Sequence, residues 1–356
     1  MAPSRELVLA IHCCRAAFAR GEASVVLSDA QLDWSLFLRL VRFHRVQGLA
    51  WSALTEQRDQ VPREIAEALA DDAAAIAAAN LRNAVECRNL LADFERADVP
   101  LLFMKGLTLG ALAYGNAAIK AAIDIDLLVA EQQLVGAARL LQRRGYELNY
   151  PDIPSERLRA WHRERKESVW VRPAEASPID LHTRLSDNRA LIPSLSVHSP
   201  RQSVEIAEGI ALPTLGPDEL FAYLCVHGAS SAWFRLKWIA DFAALLHGRS
   251  GDELNRLCGR SQKLGAGRAA GQALLLADSL FGSLEANAAL REVLNEDAAN
   301  RWLCRAALRQ LAGKPDPVEP TGRPFGTTTI HLTQFALLPG LRFKLAELVR
   351  QLRTAL

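Results

Sequence analysis

No excess of either charge marks this chain: 42 lysines and arginines stand against 40 aspartates and glutamates, a net charge of +2 at pH 7. A balance that close gives no general basic field to draw the protein to nucleic acid or anionic lipid, so contact with a polyanion is expected only locally. The six cysteines (Cys13, Cys14, Cys87, Cys225, Cys258 and Cys304) include no Cys-x-x-Cys pair and are too sparse for a secreted disulfide framework, which points to a reduced, cytoplasmic compartment. No secretory leader is expected, because the start Met-Ala-Pro-Ser-Arg-Glu followed by Leu7 to Cys14 lacks a basic opening and a small-residue cleavage site and reads as an amphipathic helix. Nothing is long and apolar enough to span a bilayer. The longest uncharged stretch, Phe325 to Leu341, is broken by threonines, His331, Gln334 and Pro339, and is expected as a buried helix rather than a membrane-surface contact. Internal repeats and low-complexity tracts are also absent. What is present is 356 residues, 50% of them hydrophobic, enough for two or three compact units with cores of their own.

Three regions follow from the hydrophobic periodicity. Residues 1–96 read as helical: Ile65, Leu69, Ile76, Ala84, Leu91 and Phe94 recur at helical spacing, and the alanines of 73–79 favour a helix because they lose least on entering one. Residues 97–186 change texture. Val99 to Met104 and Ile123 to Val129 are short apolar runs suited to buried strands, and Leu107 to Tyr114 fits two turns of helix stopped by Gly115-Asn116. Glu131 to Arg144 reads as a helix ending at Gly145, and 146–148, 168–172 and 179–184 read as further strands. Residues 187–356 are expected to be mainly helical, with the segment Pro315 to Pro324 as an interruption.

The chemistry concentrates in Ile123-Asp124-Ile125-Asp126-Leu127-Leu128-Val129. In a strand, residues two apart share a face, so Asp124 and Asp126 are expected to point one way and Ile123, Ile125 and Leu127 the other. Two carboxylates side by side on an apolar strand are costly unless a cation neutralises them, and an all-oxygen donor set favours Mg²⁺ or Mn²⁺. Asp180, in Ile179-Asp180-Leu181-His182, is the candidate third carboxylate. An Asp-x-Asp pair alone is equally at home capping a helix. The order of parts adds to it: Lys105-Gly106 opens a short helix, where backbone N–H groups and the helix dipole favour a phosphate and Lys105 adds a point charge. Lys120 and then the acidic strand follow. Together these parts suit holding a metal-bound nucleoside triphosphate in line with an acceptor.

Leu102-Phe103-Met104-Lys105-Gly106, Tyr114, Lys120 and Asp124-Ile125-Asp126-Leu127-Leu128-Val129 resemble the uncharacterised nucleotidyltransferase family of the DNA polymerase β superfamily. Ile179-Asp180-Leu181-His182 resembles its third-carboxylate strand, and 220–246, with His227-Gly228, Arg235-Leu236-Lys237-Trp238 and Asp241, its helical carboxy-terminal segment. The resemblance covers roughly residues 60 to 250. It implies an α+β fold, with a minimal mixed-sheet nucleotidyltransferase core between amino- and carboxy-terminal helical regions. It also implies Mg²⁺-dependent transfer of a nucleoside monophosphate from a triphosphate, with ATP favoured, to a hydroxyl or phosphate of an acceptor. Asp124, Asp126 and Asp180 would hold metal and Gly106 would lie under the triphosphate. Lys105 and Lys120 are the further candidate nucleotide contacts, with His182, which shares a strand face with Asp180 and fits either a nucleotide contact or a satisfied polar residue. The chain departs from the superfamily pattern in having Lys-Gly where Gly-Ser is usual, Lys120 where arginine is expected and Ile123 where a small polar residue is commoner.

The near-neutral composition favours a small-molecule, peptide or protein acceptor over nucleic acid. The basic run from Arg157 to Lys166 around Trp161 is diluted by Glu156, Glu164 and Glu167 and reads as a solvated helix face. His227 reads as a core histidine, and Arg235, Lys237 and Asp241 fit either a closing element or a helix-packing ion pair. The competing class is an inactive nucleotide- or partner-binding regulatory protein, in which the same carboxylates would cost stability with no metal to offset them.

Overall fold

A computed structural model describes the chain except residues 1–2, 24, 26–31, 174–176, 314, 316–318, 320–321 and 356, so part of the 315–324 interruption lies outside the described residues. Helices α1 (Arg5–Phe18), α2 (Trp34–Phe43), α3 (Gln47–Leu54) and the long α4 (Arg63–Arg96) come first. Then follow β1 (Leu102–Phe103), α5 (Leu107–Tyr114), β2 (Ile125–Leu128), α6 (Leu134–Arg143), β3 (Glu147–Tyr150), α7 (Leu158–Glu164), β4 (Glu167–Val171) and β5 (Ile179–His182). A hairpin of β6 (Arg201–Ala207) and β7 (Ile210–Leu215) precedes α8 (Pro217–Ser230), α9 (Leu236–Leu246), α10 (Gly251–Lys263) and α11 (Arg268–Phe281). The chain closes with α12 (Ala288–Glu296), α13 (Ala298–Leu311), α14 (Thr328–Gln334) and α15 (Leu341–Ala355). This is an α+β fold, one mixed sheet with helices before and after it in sequence.

Two compact units divide the chain, 75–220 and the pair of segments 1–74 with 221–356. The second of these is helical. In it α1 packs on α2, α3 and α9, and α11 on α9 and α13. Local chemistry sets its helix starts: the Asp33 side chain accepts from the Leu36 amide, and Ser250 and Glu253 form a reciprocal capping box on α10. Arg235 is buried between the rings of Phe43 and Phe234 and paired with Glu319, and the His227 ring meets those of Tyr223 and Trp238, so both residues pack this unit. The stretch 325–341 is not the buried helix expected. Its one short helix is Thr328–Gln334, before α15 starts at Leu341, and although Thr333 and Leu337 are buried, Phe325, Leu332 and Leu341 are exposed. Seven residues make two turns, too few to bury more than one face.

Unit 75–220 is built on a five-stranded sheet in the order β1-β2-β5-β4-β3, with β2 and β5 parallel and the other pairs antiparallel. The strands alternate as a half-polar sheet must. Ile125, Leu127, Ile179, Leu181 and Trp170 join Phe94, Leu134 and Leu141 in one apolar core, which leaves Asp126, Asp180 and Glu167 on the opposite face. Beneath the sheet His162 is fully buried, with Nδ1 3.0 Å from Thr183 Oγ1 and Nε2 3.0 Å from Ser168 Oγ. Burial, the largest cause, pushes its pKa down to about 3, with His182 and Arg184 acting in the same direction, which keeps this pin neutral. Around His162, α7 and the residue before it expose Arg157, Arg159 and Arg163 as a solvated face.

Residues 75–96 of α4 serve the sheet twice. Glu86 and Asp93 grip Arg144 at the end of α6 through contacts of 2.8–2.9 Å. One turn and more toward the amino end, the Asn80 amide donates to the Ala117 and Lys120 carbonyls at 3.1 and 2.7 Å, and Asn83 donates to Ala122 at 3.2 Å. These buried amides pin the loop that delivers the chain to β2. Asn80→Ala would leave two buried carbonyls without their donor, and we expect it to lower stability by about 1–3 kcal/mol in thermal denaturation. An unchanged melting curve would show that the loop holds itself.

The hairpin β6–β7 was not anticipated by the reading of 187–356 as mainly helical. It rests on β1 and α5 and supplies Leu212 to the core of the sheet. Its signal was present: Glu208-Gly209, with Gly209 at φ +70°, separates two alternating runs.

Candidate active site

Two adjacent parallel strands bring the carboxylates together. The register places Asp126 of β2 beside Asp180 of β5 and Leu128 beside His182, while β4 sets Glu167 against His182 and Val169 against Asp180. Because Asp126, Asp180, His182 and Glu167 alternate with core residues, the fold of the apolar core fixes their common face.

Asp126 is buried, and its Oδ1 accepts from Lys105 Nζ at 3.0 Å and from His182 Nε2 at 3.1 Å. Its Oδ2 is buried with no hydrogen-bond partner among the described residues. Burial alone pushes this carboxyl up, but Lys105 and His182 outweigh it and hold the pKa below the usual carboxylate range. Asp180 goes the other way. Burial is the main cause of its raised pKa, and the negative charges of Asp126, Glu167 and Asp124 add to it, with Lys105 opposing. Glu167, paired with Lys166, is brought down to about 2 against its own burial by Lys166 and His182. His182 Nδ1 stands 3.2 Å from Glu167 Oε2 but without hydrogen-bond geometry. Four carboxylates thus crowd a few positive groups.

Asp124 sits elsewhere than the alternation argument put it. The strand begins at Ile125, Asp124 lies in a bend before it, and Ile123 is exposed rather than packed in the opposite layer. The physical reason is the pinned loop: Asn83 holds the Ala122 carbonyl, so extended pairing starts only at the Ile125 amide, which donates to Pro178. Asp124 and Asp126 still line one cleft, together with Lys105, Gly106 and Thr108. Gly106 opens α5 with φ +63° and ψ −119°, backbone that a side chain rarely adopts. Thr108 in the first turn donates to the Lys105 carbonyl at 3.1 Å and so fixes the peptide that carries Lys105. Lys120 is buried next to Asn80 and α5, where its Cγ lies 3.3 Å from the position of a β-carbon on Gly110, and it is not among the residues lining the cleft.

Asp126, Asp180 and His182 each offer a ligand atom within 4.8 Å of the others. The unpartnered Oδ2 of Asp126 beside a second carboxylate is the kind of acceptor that a divalent cation satisfies, so these residues fit a metal. Sequence reasoning placed Asp126, Asp180, Lys105 and His182 among the site residues, and the fold brings these four together. It missed Glu167, Asn80 and Asn83. Glu167 carried a signal, an acid opening an apolar strand, whereas the two asparagines carried none beyond being polar on a helix face that buries alanine and leucine.

Comparison with known families gives one finding. The model of a family described as an uncharacterised nucleotidyltransferase matches residues 30–282. No curated protein matches the chain.

Proposed function

Since the chain belongs to the uncharacterised nucleotidyltransferase family and is therefore a transferase, we propose that it transfers a nucleoside monophosphate from a triphosphate, ATP favoured, to a hydroxyl or phosphate of an acceptor. The observation that carries this reading is the Asp126–Asp180 pair in parallel register, with an unpartnered buried oxygen facing a cleft that Gly106 opens onto the start of α5. Residues 97–186 form the catalytic core in this reading, in a cytoplasmic protein, and a small molecule, peptide or protein is the favoured acceptor.

Asp126, Asp180 and either Asp124 or His182 would hold Mg²⁺ or Mn²⁺. When bound, such a cation lowers the pKa of an attacking hydroxyl and neutralises the charge on pyrophosphate. The protein's own groups do the rest. The Gly106 peptide and the amides at the start of α5 would donate to phosphate oxygens, and Lys105, 3.0 Å from Asp126 and partly exposed, carries positive charge to the triphosphate from the same position. Asp180, whose proton affinity is raised by burial and by Asp126 and Glu167, is the group suited to take the proton of the acceptor hydroxyl. The acceptor oxygen bonds to the α-phosphorus, the bond from that phosphorus to the bridging oxygen breaks, and pyrophosphate leaves with the electron pair.

Melting the full chain with each common triphosphate, with and without Mg²⁺ or Mn²⁺, tests the site directly. The midpoint should rise with triphosphate and metal together, by mass action. It should not rise in Asp124→Ala or Asp126→Asn. A wild-type midpoint that no combination moves would sink the reading. A shift without any transfer to acceptors would favour the inactive regulatory protein instead.

A further inference from the structure

The last helix presents an apolar face to solvent. In α15, Leu341, Leu345, Leu348, Val349 and Leu352 are each between 45% and 71% exposed, an unusual concentration given that single exposed leucines are ordinary. Their spacing of four, three, one and three residues makes them one stripe. At about 100° per residue they fall within an arc of about 100°, centred almost opposite the side that carries Phe343, Glu347 and Arg350. That other side is the packed one: Phe343 and Glu347 are buried, Arg350 bonds Gln334 of α14 at 2.6 Å, and Gln351 bonds the His331 carbonyl at 3.0 Å. The stripe therefore faces outward because the helix is held by its back.

Charge says what the stripe fits. Arg342 and Arg353 border it on one side and Lys344 on the other, all exposed, while the helix's single acid, Glu347, is turned inward against Arg350. An apolar band between basic borders matches an anionic lipid surface, where leucines enter the acyl boundary and the cations meet headgroups. A second copy of the chain fits less well. Pairing two stripes would set like charges against each other, and the 15 residues of α15, about two heptads, fall short of the three to four heptads that sustain a coiled coil. None of the described helices is long and apolar enough to cross a membrane, so the contact is one of lying on the surface.

We propose that the outward face of α15 docks the protein on an anionic membrane surface. The full chain should co-sediment with vesicles of phosphatidylcholine and phosphatidylglycerol, less so as salt is raised, and only weakly with phosphatidylcholine alone. Leu345→Glu with Leu348→Glu should weaken this partitioning about a hundredfold or more, because two leucines no longer leave water. Arg342→Glu with Lys344→Glu should weaken it by about tenfold or more. All four positions are exposed, so circular dichroism and the melting midpoint should stay at wild type. Three results would overturn the proposal: no partitioning onto anionic vesicles, partitioning that the leucine variant retains, or a dimer by light scattering that the leucine variant dissolves.

Discussion

Asparagine in place of Asp126 should reduce transfer from a labelled triphosphate by about a thousandfold or more, with the fold preserved. The substitution keeps the shape of the side chain but removes the charge that Lys105 and His182 converge upon and the Oδ2 atom offered to a cation. Preservation of the fold follows from the location of the core, on the opposite face of β2 at Ile125 and Leu127. Far-ultraviolet circular dichroism would check the fold, and the appearance of labelled product or pyrophosphate would check the chemistry. A variant turning over at wild-type rate would remove Asp126 from the reaction and leave the transferase assignment resting on the family alone.

Asp180→Asn should do something that a damaged structure would not: make the metal-free protein more stable at alkaline pH while abolishing transfer. The Asp180 carboxyl has a folded pKa raised above its ordinary value, chiefly by burial and then by Asp126. Between the unfolded and folded pKa values the native state keeps a proton that the unfolded chain has released, so stability falls as pH rises through that window. Above it the wild type carries the full penalty, and the neutral amide carries none. We expect a gain on the order of 2 kcal/mol above the window, vanishing below about pH 4 where both carboxyls are protonated. Asp126 has the opposite sign. Its pKa is held low, so its contribution to stability is present above the ordinary carboxylate range and is lost as pH falls through the folded value. Urea unfolding across pH, for wild type and both variants, separates the two. An Asp180→Asn protein no more stable than wild type at alkaline pH would show that the site carries no such strain.

How far the sequence could be read depended on the range of the interactions. Alternation is local, so the apolar partners of Asp126 and Asp180 announced both strands, and Gly106 and Gly115 bounded α5 where the structure has it. The pairing of Asp126 with Asp180 needs a register between segments more than fifty residues apart, which no local pattern encodes. The same holds for Lys105 on Asp126 and for Glu167 facing His182. Asp124 was misplaced because period-two reasoning assumes that a strand begins with its first apolar residue, whereas the Asn83 tether delays it to Ile125. The 325–341 stretch departs from expectation for a related reason: lack of charge does not dictate burial, and a two-turn helix has too little surface to bury.

The cysteines, noted first for their lack of pairing, offer a built-in clock. All six are unpaired and buried, and burial raises the pKa of every thiol, so an alkylating reagent meets little thiolate until the chain opens. Cys87 alone belongs to the unit of residues 75–220, while Cys13, Cys14, Cys225, Cys258 and Cys304 belong to the helical unit. Timed alkylation read by peptide mass therefore follows the breathing of the sheet unit at one residue and that of the helical unit at five, in one sample and without an added probe.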